Sequence, residues 1–215
     1  MIHELAVKLA NRLGEELQQQ ERVTVIAYGL ELLLGSMVKL VCFIIIPLLL
    51  GILPLVLAAF LTSAAFRLVA GGAHCTAYYR CLIGSLATFT GAGFLARWLA
   101  GTGLDTREMA LAGALFAFLV AMLWAPASTP AKPISREGHR RVLKAISLLL
   151  PTVYLVAVYL LPIRRELLAA STLGLAFQSF TVTPAGYRFM EWLDIFLSRL
   201  HSILIPGKGG VKNAA

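Results

Sequence analysis

Long apolar runs separated by short polar stretches occupy most of the chain, and they give the first structural prediction. A helix needs about 20 predominantly apolar residues to cross a bilayer, and several runs approach or exceed that length. We therefore predict an all-α polytopic membrane protein with about six transmembrane helices. The predicted spans are Val23–Leu50, Ile52–Val69, Cys81–Ala100, Met109–Ala125, Val142–Leu161 and Leu167–Val182.

Two segments outside these spans have a different periodicity. Residues 1–22 and 186–205 carry apolar side chains at helical spacing on one face and charged side chains on the other. Such helices lie in the membrane interface, either as anchors or as docking faces for a partner's amphipathic helix. We predict a single integral-membrane domain over residues 1–205, with amphipathic N- and C-terminal helices and a flexible tail at 206–215.

Composition supports a membrane protein and excludes other classes. The chain is 59% hydrophobic and 14% charged, whereas soluble domains average about 45–50% and about 25%. Its three Cys cannot form a complete disulfide framework, which favours thiols in a reducing compartment. The formal charge of +8 comes from scattered basic residues without a nucleic-acid-binding motif, so no nucleic-acid partner is predicted.

The distribution of Lys and Arg predicts the orientation of the chain in the membrane. With a cytoplasmic N-terminus, fourteen of these residues fall in segments on the inside and four on the outside, while Lys39 lies within the first span. Cytoplasmic loops carry an excess of Lys and Arg. Both termini and the polar stretch at residues 67–81 are therefore predicted to face the cytoplasm.

That stretch, RLVAGGAHCTAYYRC, holds the candidate chemistry. Thiolate is a nucleophile and imidazole is its usual base, so His74 and Cys81 are a candidate catalytic pair. On an unbroken helix, residues seven apart lie about 10.5 Å apart along the axis, too far for proton transfer, which needs about 2.6–3.2 Å. Gly71 and Gly72 permit a turn that breaks the helix. Thr76 is then the predicted N-cap of a new helix, with Cys81 in its second turn.

Other ionisable or thiol side chains have weaker claims to a function. Cys75 is an alternative nucleophile beside His74, and Cys42, in the middle of a span, is interpreted as a small apolar side chain. Glu31 lies in the first span, where ionisable groups are costly and by default functional. It either orients His74, holds Arg67, or lies near the interface and reaches water.

The pattern Arg67-x3-Gly71-Gly72-x-His74-x6-Cys81 resembles the accessory gene regulator protein B (AgrB) family, membrane endopeptidases of bacterial quorum sensing. The segment APASTPAKPI, residues 125–134, is similar to the cytoplasmic loop after the fourth span in that family. Gln178 and Pro184 in the last part of the chain also fit. The resemblance covers nearly the whole chain.

The resemblance implies a reaction and a set of site residues. The family cuts a small AgrD-type precursor peptide: the Cys, here Cys81, attacks the scissile carbonyl with His74 as base. An internal Cys or Ser of the substrate then captures the acyl-enzyme and closes a thiolactone or lactone. The resemblance further implies a homodimer in the lipid membrane that uses no cofactor or metal. Supporting positions are Glu31, Arg67, Gly71, Gly72 and Lys132. Ser128 stands where an Asp is common in the family.

Two other interpretations remain open at this point. A non-enzymatic membrane transporter or sensor would use His74, Cys75 and Cys81 to bind a soft metal. A structural or export component would need none of these side chains for its activity.

Overall fold

Eight α-helices account for most of the part of the chain that the computed structural model describes, residues 2–16, 23–73, 75–127 and 137–204. The helices are α1 (Ile2–Glu16), α2 (Val23–Leu49), α3 (Leu53–Ala70), α4 (Tyr78–Gly101), α5 (Thr106–Trp124), α6 (Glu137–Leu160), α7 (Arg165–Val182) and α8 (Pro184–Leu204). Every predicted span coincides with one of them to within a few residues, and the described parts of both amphipathic segments are helical. Residues 17–22 and the predicted tail at 206–215 lie outside the described residues. The prediction of an all-α fold is confirmed.

Helices α1 and α2 form a compact unit, Met1–Gly51. The small side chains Ala6 and Ala10 of α1 are fully buried, because α1 packs along α2. The leucine row of α1 remains at least one-third exposed, at Leu5, Leu9 and Leu13. This arrangement suits a helix that packs through small residues and offers its leucines to the membrane interface.

The second compact unit, Ile52–Ala215, is organised around α7. This helix packs against α3, α4, α5 and α8. Glycines allow its closest contacts: a Cβ on Gly174 would collide with the carbonyl oxygen of Ala59 in α3, and one on Gly113 of α5 would lie 2.6 Å from Thr172 Cγ2. The backbones of α3 and α5 therefore each approach that of α7 closely.

Five helices, α2 to α6, are long and apolar enough to cross a membrane. The sixth predicted span corresponds to α7, which does not meet that criterion. Surrounded by other helices, α7 buries polar side chains that hydrogen-bond inside the protein, among them Thr172, Gln178, Ser179 and Thr181. A helix that contacts protein does not need the apolar surface of one that contacts lipid. Its crossing of the membrane stays a prediction.

Candidate functional site

The chain turns sharply where α3 ends. The amide of Gly71 donates a hydrogen bond to the carbonyl of Arg67 at 3.0 Å, which closes the last turn of α3. Gly71 and Gly72 then adopt φ values of +76° and +127°, a region that favours glycine. The predicted break of the helix at the glycine pair is confirmed.

A second segment runs beside this turn. The amide of Ala127 donates to the carbonyl of Ala70 at 2.9 Å, and Gly71 and Ala127 form an isolated parallel β-bridge. A Cβ on Gly71 would collide with the carbonyl oxygen of Ala127. Gly71, in the stretch RLVAGGAHC, and Ala127, in the stretch APASTPAKPI, are therefore neighbours in the fold. Ser128 and Lys132 lie outside the described residues.

Gln178 of α7 joins α3 to the glycine turn. Its Nε2 donates to the carbonyl of Gly71 at 2.8 Å, and its Oε1 accepts from Ser63 Oγ at 3.3 Å and from Arg67 Nη1 at 3.4 Å. Gln178 is 1% exposed, and buried amides need such partners. This side chain fixes the turn relative to both helices.

Arg67 extends from the last turn of α3 towards the residues that precede His74. Its Nη2 donates to the carbonyl of Ala73 at 3.0 Å, while the amide of Ala73 donates to the carbonyl of Thr181 at 3.0 Å. Both backbone groups of Ala73 are thereby held. His74 itself lies outside the described residues, so its predicted role as base stays a prediction.

Cys81 is the fourth residue of α4. Its amide makes the first hydrogen bond of that helix, to the carbonyl of Ala77 at 3.0 Å, and its side chain is half-buried. The Arg67 guanidinium interacts electrostatically with the thiols of Cys81 and Cys75. Arg67, the glycine turn and Cys81 thus belong to one candidate site, with the half-buried Cys81 near the positive end of a helix.

Thr76 does not cap α4, so that prediction was wrong. Ala77 is the N-cap and makes no side-chain cap hydrogen bond. Thr76 is instead bound by Asp194 of α8: its amide donates to Oδ1 at 3.2 Å and its hydroxyl to Oδ2 at 2.7 Å. A carboxylate from a distant helix takes the place of the local cap.

Arg80 completes this contact between α4 and α8. Its Nη1 donates to Asp194 Oδ2 and to the Asp194 carbonyl, both at 3.1 Å, and its Nη2 donates to Thr76 Oγ1 at 3.1 Å. The two charged side chains are 17% and 13% exposed. Within the described part of the chain, buried Arg80 Nε has no hydrogen-bond partner. Sequence reasoning missed Asp194, although an acidic residue on the apolar face of an amphipathic helix was a signal.

Cys75 lies in the irregular segment before α4 and is 5% exposed. Burial raises the pKa of the Cys75 thiol, and the negative charges of an ionised Cys81 and of Asp194, together with a hydrogen bond to Asp194, act in the same direction; the Arg80 cation opposes them. Near neutral pH the Cys75 thiol is therefore protonated, and a protonated thiol is a weaker nucleophile than a thiolate.

The remaining predicted residues lie in the first unit. Glu31 is half-buried in α2, and Lys39 lies with its ammonium 5.8 Å from the ring centroid of Phe43. Cys42 of α2 is half-buried. The role of Glu31 in orienting His74 or holding Arg67 stays a prediction. Among the residues that the structure describes, His, Cys, Asp and Glu side chains form no group suited to a metal ion.

Comparison with known proteins points to one family in both the family profile and the individual relatives. The profile of the family Accessory gene regulator B matches residues 6–182. A protein of Clostridium perfringens (strain SM101 / Type A) named "Putative AgrB-like protein" is 26% identical over 93% of this chain and 100% of its own length. A protein of Listeria welshimeri with the same name is 27% identical over 77% of this chain and 79% of its own length. No solved structure matches the chain.

Proposed function

The chain belongs to the accessory gene regulator B family, whose members take part in quorum-sensing peptide processing. On that premise we propose that this protein is a membrane cysteine endopeptidase. It cleaves the C-terminal part of a small AgrD-type precursor peptide and promotes cyclisation of the remainder to a thiolactone or lactone autoinducing peptide.

In the proposed reaction, His74 removes the proton from the Cys81 thiol, and the sulfur attacks the scissile carbonyl. The peptide C–N bond breaks, the leaving amine takes the proton from His74, and the acyl group remains on Cys81 as a thioester. A Cys or Ser of the bound substrate then attacks this thioester. The ring closes, and Cys81 is released as a thiol without consumption of water or a cofactor.

One observation carries this proposal: the Arg67 guanidinium, whose charge acts on the Cys81 thiol, also donates to the carbonyl of Ala73, the residue before His74. A cation at this position favours the negative charge of an attacking thiolate. The bridge between Gly71 and Ala127 supports a role for the loop that carries Lys132, because it anchors the start of that loop at the site.

The proposal includes the surroundings of the enzyme. The active site and both termini lie on the cytoplasmic side of a bacterial cell membrane. The excess of Lys and Arg in those segments supports this orientation. The protein acts as a homodimer among membrane lipids. Small residues of α4 such as Gly91, whose Cβ position is open, allow a second helix to approach closely.

The test uses the purified protein in liposomes with a synthetic AgrD-type precursor peptide that has an amphipathic leader, an internal Cys and an acidic tail. Cys81→Ala should abolish cleavage and any covalent adduct, whereas Cys75→Ala should keep most of the activity. Changing the ring-forming residue of the substrate to Ala should allow an adduct on Cys81 to accumulate, which mass spectrometry detects. An adduct on Cys75, or full turnover by Cys81→Ala, would contradict the proposal.

A further inference from the structure

The buried carboxylate of Asp194 has a set of partners that the proposed reaction does not yet explain. Asp194 is 9% exposed and lies on α8, beyond the residues that match the family, which end at 182. A buried carboxylate is costly unless it is paired and hydrogen-bonded. Both of its oxygens are used, by Thr76 and Arg80.

These partners are close together in sequence. Thr76, Arg80 and the Cys75 thiol, which also hydrogen-bonds to Asp194, all fall within residues 75–80. Those residues form the whole connection between His74 and Cys81. The segment that connects the proposed base to the proposed nucleophile is therefore bound to α8 through the side chain of Asp194.

We propose that Asp194 is a positioning residue: from α8 it fixes residues 75–80, so that Cys81 is presented to the substrate while Cys75 is kept out of the reaction. This inference rests on the proposed function. Asp194 touches neither substrate nor the reacting atoms; it acts by setting where α4 begins and by holding Cys75 buried and protonated.

The electrostatic surroundings of Cys75 give the inference a signature that a merely structural role lacks. The charged and titratable groups that face this thiol are Asp194 of α8, Arg80 and Cys81 of α4, and Arg67 of α3; the residue before it in the chain is His74. Asp194 raises the pKa of Cys75 and Arg80 lowers it. Neutralising the two partners of the same ion pair should therefore shift the reactivity of Cys75 in opposite directions along the pH axis, whereas a loosened fold would shift both the same way.

The first measurement is alkylation by iodoacetamide as a function of pH in the full-length protein. Trypsin separates the three thiols into the peptides 40–67, 68–80 and 81–97, because Lys39, Arg67, Arg80 and Arg97 flank them. Asp194→Asn should move the profile of Cys75 to lower pH. The variant R80Q loses the cleavage site after residue 80, so its Cys75 and Cys81 are distinguished by fragmentation of the joined peptide, and its Cys75 profile should move to higher pH.

The second measurement is the cleavage of the same AgrD-type precursor peptide by the protein in liposomes. Asp194→Asn should lower kcat about 10- to 100-fold, since a misplacement of about 1 Å costs that much, with KM changed less than about 2-fold. Glu191→Gln removes a carboxylate from the exposed side of the same helix and should match the wild type. Asp194→Glu keeps the charge one methylene further out; it should fold and lose part of kcat, and it carries the test if Asp194→Asn does not fold.

Two outcomes would overturn the inference and leave the peptidase proposal intact. One is a wild-type kcat in both Asp194 variants; the other is a shift of the Cys75 alkylation profile in the same pH direction in D194N and R80Q. Failure of the wild type to cleave, or cleavage by Cys81→Ala, would instead overturn the proposed function and this inference with it.

Discussion

Gly71 shows how much of the site depends on a missing side chain. Its φ of +76° disfavours any other residue, and a Cβ would collide with the Ala127 carbonyl. Gly103 is a matched control because its φ of +84° is similar but nothing lies within 4 Å of its Cβ position.

We expect Gly71→Ala to cost more free energy of unfolding than Gly103→Ala, which pays only the backbone strain of about 1–3 kcal/mol. Gly71→Ala should also abolish cleavage, because the bridge to Ala127 would open. Thermal unfolding in detergent and precursor cleavage measure both effects. Equal losses of stability in the two variants would show that the contact with Ala127 does not matter.

Cys75 gives a pH prediction at the same scale. Its pKa is raised by burial, by an ionised Cys81 and by Asp194, so its thiolate forms at higher pH than that of an ordinary thiol. The rate of iodoacetamide alkylation at Cys75 in the wild type should therefore rise at a higher pH than for a small thiol in solution. An alkylation profile of Cys75 at the same pH as that of the small thiol, or at a lower pH, would contradict the raised pKa.

The raised pKa of Cys75 also affects stability. Its contribution to the free energy of unfolding is fully present below the unfolded-state pKa and is lost as pH rises through the folded-state pKa.

At the scale of elements, the contact between α3 and α7 aligns the site. Gly174 meets the Ala59 carbonyl one helical turn before Gln178 meets Ser63, so the first contact sets the spacing of the second. Gly174→Ala would push the helices apart.

We expect Gly174→Ala to destabilise the protein by about 1–3 kcal/mol, the usual cost of overpacking, and to reduce cleavage because Gln178 would lose its reach to Gly71. Gly29→Ala, inside α2 with nothing within 4 Å of its Cβ position, should leave stability unchanged or raise it by up to about 1 kcal/mol. Denaturation followed by circular dichroism compares the two. A Gly174→Ala variant as stable and active as Gly29→Ala would show that α3 and α7 tolerate separation.

Helices and the glycine turn were predictable because their signals are local: runs of apolar residues, helical periodicity and a glycine pair. Asp194 was not, since its partner Thr76 lies 118 residues away in sequence, and the local rule for N-caps favoured Thr76 itself. The polar residues of α7 obscured its central position for a similar reason. Hydropathy describes contact with lipid, and α7 contacts protein.

For the whole molecule, orientation in the membrane is the prediction with the clearest test. In Thr102→Cys, at the exposed end of α4, the new thiol should react with a membrane-impermeant maleimide added outside intact cells, because the charge distribution places this turn outside. Cys75 and Cys81 should react with it only after the cells are opened. Labelling of Cys81 from outside would reverse the orientation.

The distance along the chain between Cys81 and Asp194 has a consequence for biosynthesis. A ribosome adds about 5–20 residues per second, so Cys81 is made about 6–23 s before Asp194. Throughout that interval the nascent chain contains Cys81 but lacks the carboxylate of Asp194 that holds residues 75–80. Under the proposed function, translation order therefore delays the positioning of Cys81 until α8 has been made, after α3 and α4.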